Sequence, residues 1–175
     1  MRDIRIMLIL LLGVFGAAAQ ASDLVKPETA WDKAEGEFRL KFGVTLKGDA
    51  VEAAWMEKGS SMLPEFEEAA QVRRGQEFTL FLFFANCPPN AAKRCGATVD
   101  YALLDSEGKL LVERKGLRLW TKPLPPKDEV RLGAAVLRIS AEETDPLGKL
   151  TLRAAVTDPA AKMTLALERP IELLP

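Results

Sequence analysis

The chain has no histidine and only two cysteines among its 175 residues, and its 24 basic side chains are balanced by 25 acidic ones. Each scarcity excludes something. Without histidine there is no Ser-His-Asp or Cys-His catalytic arrangement, and most ligand sets for zinc or haem are lost. Without an excess of positive charge there is no strongly basic face for a nucleic-acid backbone. Beyond the first residues no apolar run is long enough to cross a bilayer, which takes about twenty residues. The length suits one domain rather than two independent cores.

What is present begins with an export signal. Arg2 and Arg5 make a positive start that Asp3 partly offsets, and residues 6–16 form an unbroken apolar run. Ala19-Gln20-Ala21 then fits the small-x-small cleavage pattern. The expected division is a signal peptide over residues 1–21, a flexible lead-in over 22–36 and one domain over 37–175. The apolar run is too short for a comfortable membrane anchor. Cleavage removes Arg2, Arg5 and Asp3, leaving 22 basic and 24 acidic residues. A short signal of this kind points to the bacterial periplasm, or to secretion.

In an oxidising compartment Cys87 and Cys95 read as one disulfide. The seven residues between them include Pro88-Pro89 and Asn90. A redox role is weaker, because the spacing is not Cys-x-x-Cys and no helix start follows to lower a thiol pKa. Two thiols without histidine make a poor zinc site, and neither a metal nor a cofactor is expected.

Strict alternation marks the strands. Phe38, Leu40, Phe42, Val44 and Leu46 alternate with Arg39, Lys41, Gly43, Thr45 and Lys47. Asp49 is placed to cap a short helix over residues 48–58, which Gly59-Ser60-Ser61 would end. Six further strands are expected over 76–85, 96–104, 109–120, 130–140, 149–157 and 162–173. Turns at Asp105-Ser106-Glu107-Gly108, Asp145-Pro146-Leu147-Gly148 and Asp158-Pro159-Ala160-Ala161 separate several of them. Pro123-Leu124-Pro125-Pro126 cannot donate ladder hydrogen bonds and reads as a crossover. Pro170 suits an edge position for the same reason. The pattern predicts an all-β antiparallel sandwich of about seven strands, with one short helix and a disulfide-stapled loop.

One strand is apolar on both sides. Phe78, Leu80, Leu82 and Phe84 share a face, and Phe81 and Phe83 occupy the other. Burying a phenylalanine is worth about 1.5–3 kcal/mol, so two left in water forfeit a large gain. Either segment 48–74, with Trp55, Met62, Leu63 and Phe66, covers them, or a partner protein does.

The run Asp145-Pro146-Leu147-Gly148-Lys149-Leu150-Thr151-Leu152, leading to Val156-Thr157-Asp158, resembles the last strand pair of bacterial immunoglobulin-like and macroglobulin-like modules. Arg74-Gly75-Gln76, followed by residues 78–84, Asn86 and Cys87, is similar to the central part of small exported proteins of that kind. The resemblance implies an immunoglobulin-like fold and no chemistry. The chain lacks the two widely separated core cysteines of antibody domains.

The reactive groups group poorly. Glu65, Glu67, Glu68, Glu142, Glu143 and Asp145 could supply paired carboxylates, but acidic clusters in loops are usually solvated surface. Ser60 or Ser61 beside Lys58 is better read as a helix-breaking stretch than as a nucleophile and base. Asp105 and Glu107 are too few for calcium, which takes six to eight oxygen ligands. Trp31, Trp55, Trp120 and Tyr101 could stack on sugars but follow no common interval. Arg114 and Arg118 would share one face of a strand and could meet an anion, although charge at a sheet edge also protects against aggregation.

The sequence therefore predicts a non-catalytic exported module that binds another protein. It would act through a sheet edge or through an apolar face built from Phe81, Phe83, Trp55 and Trp120. An inhibitor or chaperone-like factor using the rigid 87–95 loop is the second reading, and a carbohydrate-binding module the third. Mass spectrometry of the native protein should find Ser22 at its amino end and a mass two hydrogens below that of the reduced chain. A longer amino end or two free thiols would contradict this reading.

Overall fold

The computed structural model describes residues 32–55, 59–63 and 65–175. The expected signal peptide, most of the lead-in and Trp31 lie outside these residues. Among the described residues, ten strands and one helix occur in the order β1 (Lys33–Glu35), β2 (Phe38–Thr45), α1 (Gly48–Trp55), β3 (Gln71–Arg73), β4 (Glu77–Ala85), β5 (Thr98–Leu104), β6 (Leu110–Arg118), β7 (Arg131–Leu132), β8 (Leu137–Ser140), β9 (Gly148–Asp158) and β10 (Met163–Leu174). They form two five-stranded sheets. The first runs β1-β2-β4-β7, with β8 also on β4, and the second runs β3-β10-β9-β5-β6.

Ten strands replace the seven expected, for two physical reasons. β1 and β3 have three residues each, too few to show a period of two. Lys33–Glu35 therefore belong to the first sheet, paired antiparallel to Leu40, Arg39 and Phe38, rather than to a loose lead-in. The expected strand over 130–140 is split in two. Between its halves, the Ala134 amide donates to the Leu119 carbonyl at 2.7 Å and the Ala135 carbonyl accepts the Tyr101 hydroxyl at 2.8 Å. Those bonds draw the backbone away from β4 and satisfy a buried phenol, whose pKa desolvation raises.

The core lies between the sheets. Phe38, Leu40, Phe42 and Val44 of β2 and Phe78, Leu80, Leu82 and Phe84 of β4 face Val99, Tyr101 and Leu103 of β5 and Leu150, Leu152, Ala154 and Val156 of β9. Phe42 stacks on Tyr101 with ring centroids 6.0 Å apart. The proline-rich segment after β6 carries the chain from the second sheet to the first, as its missing donors require.

One long side of the sandwich is sewn shut by charge. The Asp32 carboxylate accepts the Phe42 amide at 2.7 Å, lies 3.5 Å from the Lys41 ammonium and pairs with the Arg169 guanidinium of β10. Pro170 follows directly. Glu172 donates its amide to the Ala70 carbonyl, beside β3, so the ring at 170 sits on that same side of β10, before β3 begins. The missing N–H thus falls where β3 offers no partner.

Cys87 and Cys95 are bonded, with their Cα atoms 5.6 Å apart. They join the segment after β4 to the segment before β5. Between them Asn90 Oδ1 accepts the Ala92 and Arg94 amides at 2.9 and 3.0 Å, and Pro89 bridges to Cys95. Closing so short a loop is worth about 2–3 kcal/mol in the chain-entropy model. Replacing both cysteines by alanine should lower unfolding stability by that amount while far-UV circular dichroism stays unchanged. Loss of the β signal would instead make the bridge a requirement for folding.

Candidate functional site

The doubly apolar strand is the feature on which a binding face would have to be built. On the outer face of the first sheet, Phe81 lies opposite Gly43, and Phe83 opposite both Lys41 and Leu132. Phe81 is 1% exposed and Phe83 is fully buried. The chain covers both. Val51 and Trp55 of α1, Leu63, Phe66, Val130, Leu132 and Val136 complete a second apolar cluster. Trp55 stands edge-on to Phe83 at 5.3 Å and Phe66 edge-on to Phe81 at 5.0 Å, the geometry that ring quadrupoles favour.

Gly43 makes that packing possible. A β-carbon there would meet the Phe81 ring at 2.2 Å and the Phe66 ring at 2.9 Å. The helix is held from outside by Arg138 of β8, which pairs with Asp49 at 2.7 Å and Glu52 at 2.6 Å. Asp49 sits in the first helical turn rather than at the cap, where its charge suits the helix dipole. Between α1 and residues 65–67 a mostly apolar groove of about 250 Å³ remains, bounded by Ala50, Ala54 and Trp55.

Several expected placements need correction. Met62 does not help to cover the phenylalanines but is 72% exposed. Trp120 does not join Phe81, Phe83 and Trp55. It belongs to the core between the sheets, edge-on to Phe84 at 5.4 Å, and donates its indole N–H to the Pro123 carbonyl at 2.7 Å. Arg114 and Arg118 do not share a face. Val99 pairs with Leu117 but Tyr101 pairs with Arg114, so β6 carries one extra residue. Gly116 takes φ +68° there, and its amide donates to Asp100 at 2.7 Å. Such a bulge reverses the parity of every side chain beyond it. Four residues of spacing therefore put the two arginines on opposite sides.

The other candidates have local duties. Glu67 pairs with Lys47 at 2.6 Å, and Glu68 with Lys41 at 3.1 Å. The Lys47 hydrogen bond and charge hold the Glu67 carboxyl below its ordinary pKa. Asp145 accepts the Glu142 amide at 2.8 Å. Asp105 accepts the Glu107 and Lys109 amides and so forms its turn. Tyr101 is buried, and Lys58 lies outside the described residues. Among the described residues no group of three Cys, Asp or Glu side chains could hold a metal ion. No described helix is long and apolar enough to cross a membrane.

Sequence reasoning missed Arg94, which lies in the disulfide loop close to Arg118 at the end of β6. Only the sheet pairing brings 94 and 118 together, so no local pattern signals it.

No family model matches the chain, and no curated protein matches it. Among solved structures, an alkylpurine DNA glycosylase from Pseudomonas fluorescens, bound to DNA containing an abasic site analog, is similar over 85% of this chain and 33% of its own, with 13% identity and a TM-score of 0.43. A family 123 glycoside hydrolase from Clostridium perfringens is similar over 77% of this chain and 27% of its own, with 10% identity and a TM-score of 0.37. The chain thus spans about a third of the first structure's length. Both likenesses are too distant to carry chemistry.

Truncating Phe83 to alanine should cost about 3–5 kcal/mol in chemical denaturation, because the ring fills a closed cluster. A cost below about 1 kcal/mol would mean that the cover of α1 and Phe66 is loose.

Proposed function

We propose that the protein is an exported, non-catalytic, immunoglobulin-like binding module that takes an extended segment of another exported protein along the outer edge of β6. The observation that carries this reading is the edge itself. β6 is nine residues long and ends the second sheet, paired on one side to β5 alone. The rival surface, Phe81 and Phe83, is already occupied. An open strand offers backbone donors and acceptors to any extended chain. Arg114, Lys115 and Arg118 outnumber Glu113 along it, which favours an acidic segment.

Strand order supports the immunoglobulin-like assignment. β2, β4 and β8 lie in one sheet, and β5, β9 and β10 lie in the other with β6 beside β5. That grouping corresponds to the first, second and fifth strands against the third, sixth and seventh, with an added strand next to the third. The engagement of Glu67 and Glu68 by lysines and of Asp145 by a backbone amide supports a non-catalytic role, and the Cys87–Cys95 bond suits an oxidising compartment.

Capture from periplasmic extract on the immobilised mature protein, followed by hydrogen exchange with the purified partner, tests the reading. Amides 110–115 should gain protection. Of the variants Val112→Pro and Glu113→Pro, the one whose N–H points outward should keep its melting temperature and lose at least tenfold in affinity. Scrambling residues 88–94 with both cysteines kept should leave binding intact. Protection confined to loop 87–95 would favour an inhibitor-like loop instead, and extracts that repeatedly yield no partner would overturn the proposal.

A further inference from the structure

We propose that the pocket between the disulfide loop and the end of β6 is a binding site for a small oxyanion, a phosphate- or carboxylate-bearing compound held between Arg94 and Arg118. The site shares Arg118 with the end of the β6 edge but stands without the edge reading. The pocket encloses about 320 Å³, and Arg94, Arg118 and Lys122 bring positive charge to its wall while Thr98 and Thr121 add hydroxyls. No aspartate or glutamate lines it. In a chain of nearly balanced charge, two arginines meeting at a pocket wall that holds no carboxylate reflect placement rather than composition.

Several cations elsewhere in the chain do meet carboxylates. Arg39 meets Asp128, Lys127 meets Glu37, Arg153 meets Glu168, and Arg169 meets Asp32. Among the described residues no carboxylate lies within ion-pair distance of Arg94 or Arg118. Their guanidinium forks match the planar and tetrahedral oxygens of carboxylates and phosphates.

The site is also held in shape before any ligand arrives. On one side the disulfide closes the loop, and Asn90 uses Oδ1 for two backbone amides, which leaves its Nδ2 as a further donor at the pocket wall. Beneath lie Ala97 and Trp120, both buried. Trp120 is fixed by Phe84 and the Pro123 carbonyl. The Leu119 amide donates to the Ala97 carbonyl at 3.0 Å, tying the two walls together. Rigid walls lower the ordering cost that weakens most surface charge contacts.

Amide NMR of the disulfide-intact mature protein, titrated at low salt with inorganic phosphate and separately with citrate, tests the site. Saturable shifts should cluster at residues 94–98 and 118–122, with at least one of the two probes. The double variant Arg94→Gln/Arg118→Gln should bind at least tenfold more weakly. Arg114→Gln, on the opposite side of β6, should bind as the parent does. Arg118→Lys should retain part of the affinity, since it keeps charge but loses the fork. Saturation by phosphate alone would assign a tetrahedral oxyanion, and by citrate alone a carboxylate. Non-saturating shifts spread over the surface, or a folded double variant with parental affinity, would overturn the proposal.

Discussion

Everything in the first sheet is arranged around a strand that is apolar on both sides. β4 sends four large side chains into the space between the sheets and two phenylalanines away from it. A two-layer sandwich has a place for only the first set. The second set requires a third, partial layer, and the insertion between β2 and β4 supplies it. α1, Leu63 and Phe66 are thus consequences of Phe81 and Phe83. Gly43 is the matching concession on the neighbouring strand, where any side chain would lift the rings. With this face filled, the sheet's outer apolar surface is spent inside the chain.

The edges are treated unequally. Beside β2, β1 and the Asp32 carboxylate occupy the flank, and farther along the Ala69 amide donates to the Val44 carbonyl. Beside β10, the short β3 lies parallel to the last three paired residues. Opposite β4, two short strands share one flank. β6 has no outer neighbour along its whole length among the described strands, whereas β3 closes only the end of β10, and β6 is bulged and charged, as open edges in natural sheets commonly are.

How much of this was legible in the sequence follows from the range of the forces involved. Alternation is local, so β2, β4, β5, β6, β9 and β10 could be read to within a few residues. The disulfide was legible from the expected oxidising compartment and the cysteine count, and the cover over Phe81 from the improbability of leaving it wet. Three-residue strands carry no period, so β1 and β3 were not. The break between β7 and β8 depends on Tyr101, some thirty residues earlier, and on Leu119. The separation of Arg114 from Arg118 turns on a single extra residue at Gly116, and a spacing rule assumes that no such residue exists. Arg94 and Arg118 meet only because β5, which the disulfide loop leads into, pairs with β6.

The parallel pairing of β3 with β10 and the Asp32–Arg169 contact set an order of events. Both early segments find their partners in β10, so a polypeptide made from its amino end leaves them waiting until β10 itself has been made. Closure that depends on such remote sequence neighbours is slow. An unfinished, threadable chain during synthesis is the natural result of that wiring.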